Sequence, residues 1–275
     1  MHYFIPDGLP LEQALKRTTH LAFGAHQDDL ELMAAGPILE CFQQKDMWFT
    51  GVIVTDGAGS PRAGKYANYT NEQMHAVRIT EQKKAASIGE YSAQIFLDYP
   101  SSVIKTSKNR EVIDSIKKIL EQAKPEFIYT HNLADKHGTH IAVALRVIQA
   151  IRELPEQNRP KKLVGCEVWR DLDWLNDQDK IYFDLSKHEN IQAALVGVFD
   201  SQISGGKRYD LAIAGRHKAH ATFSTSHQID KATSIALGVD LTPLILDINL
   251  TPEKLMQDYI DRFAQDVKEK IEKFS

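Results

Sequence analysis

The alternation of short apolar runs with longer amphipathic runs constrains the fold of this 275-residue chain more than any other feature. Strands are predicted where apolar residues run together, and helices where they recur every three or four positions. The predicted strands are 21–25, 49–55, 94–98, 127–130, 163–169 and 181–185, and the predicted helices are 30–45, 71–88, 110–123, 137–151, 187–199 and 252–273. Alternation with short connections predicts an α/β, Rossmann-like fold, in which helices cover both faces of a mostly parallel sheet in three layers.

The domain organisation is expected to be simple. The length suits one large α/β domain or two small ones, and no repeat, low-complexity tract or long linker argues for two. We therefore expect a single domain over residues 1–275, with a motif-bearing core at about 19–151. The regular alternation weakens after Pro160. Residues 160–275 are expected to complete the sheet and the pocket.

Charge and composition exclude several classes of partner. The formal net charge of −4 gives no electrostatic reason to expect nucleic acid or an anionic membrane. No apolar run approaches the length of a membrane span, and the first residues do not resemble a secretory signal. Two cysteines without a short metal or redox spacing favour a reduced, cytoplasmic compartment. The patterns leave the oligomeric state open, including a homo-oligomer.

Polar side chains follow four of the predicted strands. They lie in residues 26–31, 55–57, 98–100 and 130–140. In open parallel sheets, ligands bind beyond the carboxyl ends of the strands. We therefore expect these four segments to converge on one side of the sheet.

Two of these segments have a spacing that suits a metal ion. His26 and Asp29 are three residues apart at a predicted helix start, and so are His137 and His140. An imidazole and a carboxylate on one helix face suit zinc, and one of the two later histidines would complete a three-ligand site with an open position. Asp28 would then be free to act on a water molecule. The alternative is that the acids only cap a helix and complement its dipole.

The motifs as a set resemble the PIG-L/LmbE-like family of zinc-dependent N-acetylglucosaminyl deacetylases. AHQDDLE is similar to the family signature AHPDDxE, and DKHGTH to the signature DxHPDH. Three further stretches between them also match in order and spacing, namely TDGAGS, VRITEQKKAASIG and LDYP. The resemblance covers about residues 21–151.

The resemblance implies a set of roles for the residues of the two signatures. His26, Asp29 and His140 would bind Zn²⁺, one ion per chain. Asp28 would be the general base. His137 would steady the oxyanion or help to protonate the leaving amine.

Three further residues match family positions with less specific chemistry. Arg78 resembles an arginine that lies near the substrate carbonyl or the product acetate, but it could equally be a surface arginine of an amphipathic helix. Glu31 and Glu81 match acids that support the site, although Glu81 could form an ion pair on the helix surface instead.

The sequence departs from the family pattern in both signatures. Gln27 replaces a proline, which should change the stiffness of the loop and not the metal ligands. Gly138 and Thr139 replace Pro-Asp, and an aspartate there could raise the basicity of a neighbouring histidine. The substitution puts the role of His137 in doubt, unless Asp135 takes the place of the missing acid.

The resemblance implies metal-assisted hydrolysis of an amide, with a small N-acetylated molecule, a sugar above all, as the partner. Two alternatives stay open: a non-catalytic carbohydrate-binding protein on the same scaffold, and a zinc hydrolase of a non-sugar amide. A nucleotide-binding protein is disfavoured, because the turn after the first strand carries acids where a phosphate loop carries glycines.

The C-terminal part offers two polar groups with uncertain roles. One group could form a wall that stacks against a sugar ring: Trp169, Arg170, Asp171 and Trp174. We favour the alternative, in which these residues lie partly in the core and partly at the rim of a strand edge. Arg216, His217 and His220 form a basic cluster that could reach an acidic group of the substrate, but we expect these side chains to be solvated and do not assign them as ligands.

Overall fold

The computed structural model describes residues 1–106 and 110–275, and it contains one eight-stranded sheet. The strands are β1 (His2–Phe4), β2 (His20–Gly24), β3 (Phe49–Thr55), β4 (Ala93–Tyr99), β5 (Phe127–His131), β6 (Lys162–Cys166), β7 (Lys180–Asp184) and β8 (Ile235–Asp240). Their order across the sheet is β1-β4-β3-β2-β5-β6-β8-β7.

The five central strands, from β4 to β6, are parallel, and the outer strands pair antiparallel. The predicted Rossmann-like, mostly parallel sheet is therefore confirmed. The direction of strand order reverses between β2 and β5, which is where open α/β sheets bind their ligands.

The α-helices in the described part of the chain pack on both faces of the sheet. They are α1 (Leu11–Lys16), α2 (Asp29–Met33), α3 (Ala35–Cys41), α4 (Asn71–Ile88), α5 (Ser101–Lys105), α6 (Arg110–Ala123), α7 (Gly138–Arg152), α8 (Glu189–Gly197), α9 (Asp200–Ile203), α10 (Tyr209–Thr222), α11 (Pro243–Leu246) and α12 (Pro252–Phe274). One apolar core lies between the sheet and α6, α7, α11 and α12, and a second between the sheet and α2, α3, α4, α8 and α10. The two cores give the predicted three layers.

The prediction of one continuous helix over residues 30–45 is wrong. The structure has two short helices, α2 and α3, with a break at Ala34. Pro37 explains the break, because it has no N–H to donate to the carbonyl of Met33, one turn earlier. The second helix ends at Cys41, and Phe42 and Gln43 form a turn in which Gln43 has a φ of 58°.

The sequence patterns missed several elements outside the regular core. The strand β1 has three residues, and β8 and α10 lie in the part where the alternation weakens. The predicted helix 187–199 is also shorter, since residues 186–188 form a 3₁₀ turn before α8 begins. Among the described residues, no helix is long and apolar enough to cross a membrane.

Candidate active site

The residues that follow β2, β3, β4 and β5 line one cavity of about 500 Å³. Three of the predicted polar segments, 26–31, 55–57 and 130–140, contribute lining residues, among them His26, Gly57 and His137. After β4 the lining residues are Ser101 and Lys105 of α5, just beyond the predicted segment 98–100. The predicted convergence at the carboxyl ends of the strands is thus observed for three of the four segments. The cavity lies at the point where the strand order reverses.

The turn between β2 and α2 places two adjacent aspartates in different directions. Asp28 has a φ of 99°, an unfavourable value for a residue with a side chain, and its N–H donates to Gln82 Oε1 at 3.2 Å. Asp29 begins α2, and its Oδ2 accepts the backbone N–H of His26 at 2.6 Å. The turn therefore directs Asp29 back toward His26.

Asp29 Oδ2 lies among three imidazole rings. It is 3.1 Å from His26 Nδ1, 3.4 Å from His140 Nε2 and 3.5 Å from His131 Nε2. Ligands bound at 2.0–2.1 Å in a tetrahedral zinc site are about 3.3 Å apart, so these separations suit one ion. The structure thus brings together the residues predicted to bind metal.

Two overlapping sets of side chains have ligand atoms within 4.8 Å of one another. One set is His26, His137 and His140, and the other is Asp29, His131 and His140. His140 belongs to both sets, and no hydrogen-bond partner is recorded for its Nε2 although the atom is buried. A buried nitrogen without a partner is costly, and a metal ion would satisfy it.

Asp29 and His140 each shift the pKa of the other toward its charged form. Burial alone would raise the pKa of Asp29, but the neighbouring imidazoles of His140 and His131 hold that pKa well below its usual value. Burial lowers the pKa of His140, whereas Asp29 and Asp135 raise it, with a net rise. The carboxylate is therefore ionised, as a metal ligand must be.

His131 is the member of the cluster that sequence reasoning missed. It is the last residue of β5, it is fully buried, and its ring stacks on that of His140 with centroids 3.9 Å apart. Its Nε2 accepts the backbone N–H of Ala25 at 2.9 Å, so this lone pair is already used. A histidine at the end of a buried strand beside the second signature was the available signal.

Asp28 and Arg78 form a buried pair at the cavity wall. Their side chains approach to 3.4 Å, and Arg78 also donates to the carbonyl of Gln27 and to Ser60 Oγ. Burial raises the pKa of Asp28 to about 8 against the opposing charge of Arg78. The interpretation of Arg78 as a surface residue is wrong, because only 3% of it is exposed.

His137 lies at the cavity wall just before α7 begins, with its ring 5.1 Å from that of His26. Burial lowers its pKa to about 4, so the ring is neutral near pH 7. Asp135 Oδ1 accepts the backbone N–H of His137 at 2.8 Å, while Oδ2 lies 3.5 Å from His140 Nδ1. Asp135 therefore faces the ring of His140 and does not replace the missing acid beside the ring of His137.

The two glutamates of the motifs are buried, and both accept hydrogen bonds from neighbouring side chains. Glu31 accepts hydrogen bonds from Tyr91 and Gln82, each at 2.7 Å. Glu81 accepts from the N–H and the hydroxyl of Ser201, at 2.8 and 2.6 Å. The alternative of a surface ion pair for Glu81 is wrong.

The structure also corrects the expectation of a solvated C-terminal basic cluster. His217 and His220 are buried, and they contact Gln192 and Glu167 respectively. Arg216 donates to the carbonyl of Val168. None of the three lines the cavity, so the cluster holds α10 against its neighbours.

The two tryptophans of the same region have different positions. Trp169 lines the cavity, and its ring is nearly parallel to that of His137, with centroids 6.2 Å apart. Trp174 packs against the core, with its ring 6.4 Å from that of Phe263. The favoured strand-edge interpretation therefore fails for Trp169, which faces the ligand space.

The fold and the cluster define an α/β protein with a buried His/Asp cluster that could hold a metal ion at the switch point of its sheet. Residues 21–151 match the model of the PIG-L family, described as GlcNAc-PI de-N-acetylase. The match covers slightly less than half of the chain, and it confirms the predicted resemblance to the PIG-L family over these residues.

Known proteins similar to this chain include further deacetylases. It is 27% identical over 157 residues to the uncharacterized deacetylase YaiS of Escherichia coli (strain K12), which is 54% of this chain and 77% of that protein. It is 26% identical over 136 residues to a probable N-acetyl-alpha-D-glucosaminyl L-malate deacetylase 2 of Bacillus anthracis, which is 49% of this chain and 60% of that protein.

The solved structures show the same fold at low sequence identity. The N,N'-diacetylchitobiose deacetylase from Pyrococcus horikoshii, complexed with its inhibitor MPG, superposes with a TM-score of 0.66. The alignment covers 84% of this chain and 86% of that chain, at 14% identity. This likeness extends the fold to residues beyond the family segment.

Proposed function

We propose that this chain is a zinc-dependent hydrolase that removes the acetyl group from an N-acetylated amino sugar or a related amide. The family and its deacetylase relatives support the class of reaction, and the names of those relatives support the class of substrate. The observation that carries the proposal is the position of Asp29 Oδ2, which lies 3.1–3.5 Å from three imidazole nitrogens beside an open cavity.

The donor set fits zinc in kind and in number. His26, Asp29 and His140 would hold the ion, which when bound would polarise the amide carbonyl and lower the pKa of a water molecule. His131 Nε2 already accepts a backbone hydrogen bond, so we assign His131 to positioning the ligands. Three protein ligands leave room for substrate, as a catalytic site requires.

The neighbouring side chains supply the proton transfers. Asp28 takes the proton of the attacking water in its ionised form, which the positive charge of Arg78 favours and burial opposes. His137, as a neutral imidazole, donates its N–H to the carbonyl oxygen as negative charge develops there. When the C–N bond breaks, Asp28 returns the proton to the leaving amine, so that acetate and a free amine are the products.

Two alternative functions stay open for the same fold and site. A carbohydrate-binding protein without catalysis is suggested by Thr139, where the family has an acid. A zinc hydrolase of a non-sugar amide would use the same side chains on another substrate. The second differs from the main proposal only in substrate, so one assay can separate all three.

The test is acetate release from a panel of N-acetylated sugars and simple N-acetyl amines, with the metal content measured in parallel. We expect about one zinc ion per chain and acetate release that chelation abolishes and added zinc restores. Zinc-loaded protein that binds an N-acetylated sugar without releasing acetate from any member of the panel would reject catalysis in favour of binding.

A further inference from the structure

The cavity at the His/Asp cluster has a charge opposite to that of the whole chain. Its lining residues include three cations, Arg78, Lys105 and Lys207, but only two anions, Asp28 and Asp29. The chain as a whole has a formal charge of −4. A divalent metal would add to the excess of positive charge. Clefts lined by one sign of charge concentrate ligands of the other sign.

The two lysines carry this excess, because they have no acidic partner within the described residues. Arg78 lies 3.4 Å from Asp28, whereas no ion pair is recorded for Lys105 or Lys207 in the described ranges 1–106 and 110–275. Both lysines are exposed at the cavity, and Lys207 Nζ lies 4.3 Å from the ring centroid of Trp169. Their ammonium groups are therefore available to a ligand.

We propose that the substrate carries an anionic group, a phosphate or a carboxylate, and that Lys105 and Lys207 bind it. This proposal rests on the proposed function for the position of the acetamide group beside Asp28 and Asp29. A sugar that enters between these two ends would lie beside Trp169, which lines the cavity. The two lysines would then select among N-acetylated amines by charge.

The test uses equilibrium binding of free amino sugars, which needs no turnover. The probes are glucosamine, glucosamine 6-phosphate and muramic acid, titrated into zinc-loaded protein by calorimetry at low and high salt. We expect at least one anionic probe to bind about tenfold more tightly than glucosamine, with a preference that falls as salt rises. The tighter of the two anionic probes identifies phosphate or carboxylate.

Variants assign the preference to the two lysines. Lys105→Gln and Lys207→Gln should each weaken the anionic probe several-fold and leave glucosamine unchanged, and the double variant should abolish the preference. Lys118→Gln, on the exposed side of α6, is the matched control. Equal binding of all three probes, no binding of any, or a preference that survives in the double variant would overturn the proposal.

Failure of the proposed function would look different. Protein that prefers the anionic probe through its lysines but never releases acetate would keep the charge selection and lose the hydrolase. Acetate release by a protein that binds all three probes equally would support the hydrolase and reject the charge selection.

A separate observation concerns the last helix. Five apolar residues of α12 form one stripe with a spacing of three and four residues: Ile260, Phe263, Val267, Ile271 and Phe274. They are 45%, 38%, 39%, 62% and 80% exposed, respectively. Nearly every residue of the helix after Phe263 is exposed, so this part extends away from the body. An isolated amphipathic helix of this length is marginal without a partner.

We infer that the partner is a second copy of this helix in an antiparallel pair. The stripe is symmetric about Val267, since Ile260 and Phe274 are each seven residues away, and Phe263 and Ile271 are each four away. In an antiparallel pair, each stripe residue thus faces its symmetry mate. Pairing would bury on the order of 1,000 Å² in total, at the lower end of specific interfaces.

Cysteine cross-linking tests both the pair and its direction. Cys41 and Cys166 are buried, so an introduced cysteine on α12 is the reactive one. Val267→Cys should form a disulfide dimer with itself, whereas Ile260→Cys should cross-link only when mixed with Phe274→Cys. Glu269→Cys, on the opposite face of the helix from the stripe, is the control. A monomer by light scattering at high concentration, or self-cross-linking of Ile260→Cys, would contradict the antiparallel pair.

Discussion

Asp28 combines burial, an ion pair and a backbone angle that its side chain disfavours. Its φ of 99° is held by a hydrogen bond from its N–H to Gln82, and its carboxylate lies beside Arg78. Strain of this kind persists only where the surroundings fix it, and it is common at functional sites. The conformation keeps Asp28 out of the cluster around Asp29, which is what the proposed mechanism requires, since there Asp29 binds metal and Asp28 transfers a proton.

Replacing Asp28 by Asn separates these two tasks. Because the amide cannot take a proton from water, we expect turnover to fall by about 10²–10⁴-fold. Because Asp28 is outside the proposed ligand set, the zinc content should stay near that of the wild type. The measurement is acetate release together with metal analysis of the same preparation. Turnover within twofold of the wild type would exclude Asp28 as the base.

The residues of this site were predictable to different degrees. The spacing of His26 with Asp29, and of His137 with His140, indicated a metal site before any contact was known. His131 was missed because a single histidine in a strand has no spacing partner. The burial of Arg78 also could not be predicted, since it depends on how α4 packs over the turn after β3.

At the scale of elements, the turn after β3 depends on one glycine. Gly57 has a φ of 64°, and a Cβ built there would lie 2.0 Å from Gln27 Oε1 and 3.1 Å from Arg78 Nη1. The turn thus permits the close approach of the loop that carries Asp28. The sequence TDGAGS indicated a turn here but not the contact with Gln27.

The pair Gly57→Ala and Gly59→Ala tests this dependence. We expect Gly57→Ala to lower the unfolding free energy by about 1–3 kcal/mol, through backbone strain and the clash with Gln27, and to reduce acetate release. Gly59→Ala is the matched control, because no atom lies within 4 Å of its Cβ. Urea unfolding and turnover are the measurements. Equal stability of the two variants would show that the turn tolerates a side chain at residue 57.

At the scale of the whole molecule, the sequence predicted the central strands and the outer strand β7, but it missed the outer strands β1 and β8. The strands β2 to β5 alternate with helices, and among these helices α6 has a strong apolar periodicity. β7 and β8 pair antiparallel at the far edge, and their order is set by long-range pairing that no local pattern encodes. The single domain over 1–275 stays a prediction.

The buried His217 should make the stability of the whole chain depend on pH. Burial lowers its pKa to about 3, with a smaller effect from the neighbouring side chains of His220, Arg216 and Lys218. The unfolded state therefore binds a proton below about pH 6.5 that the folded state excludes, so stability falls as the pH drops from about 6.5 toward 3.

His217→Gln removes this titration. Between pH 7 and pH 5, the wild type should lose about 1–2 kcal/mol more unfolding free energy than the variant. Urea denaturation at the two pH values measures the difference. The variant is expected to be less stable at pH 7, so only the change with pH is informative, and parallel losses in both proteins would contradict a buried neutral His217.

The zinc site is tested most directly by anomalous diffraction at the zinc edge on crystals of the protein grown with zinc. The geometry predicts one strong peak per chain, within about 2.0–2.2 Å of a nitrogen of His26, an oxygen of Asp29 and Nε2 of His140. No peak at this position, or a peak that contacts His131 while His26 is turned away, would contradict the proposed metal site and the hydrolase that depends on it.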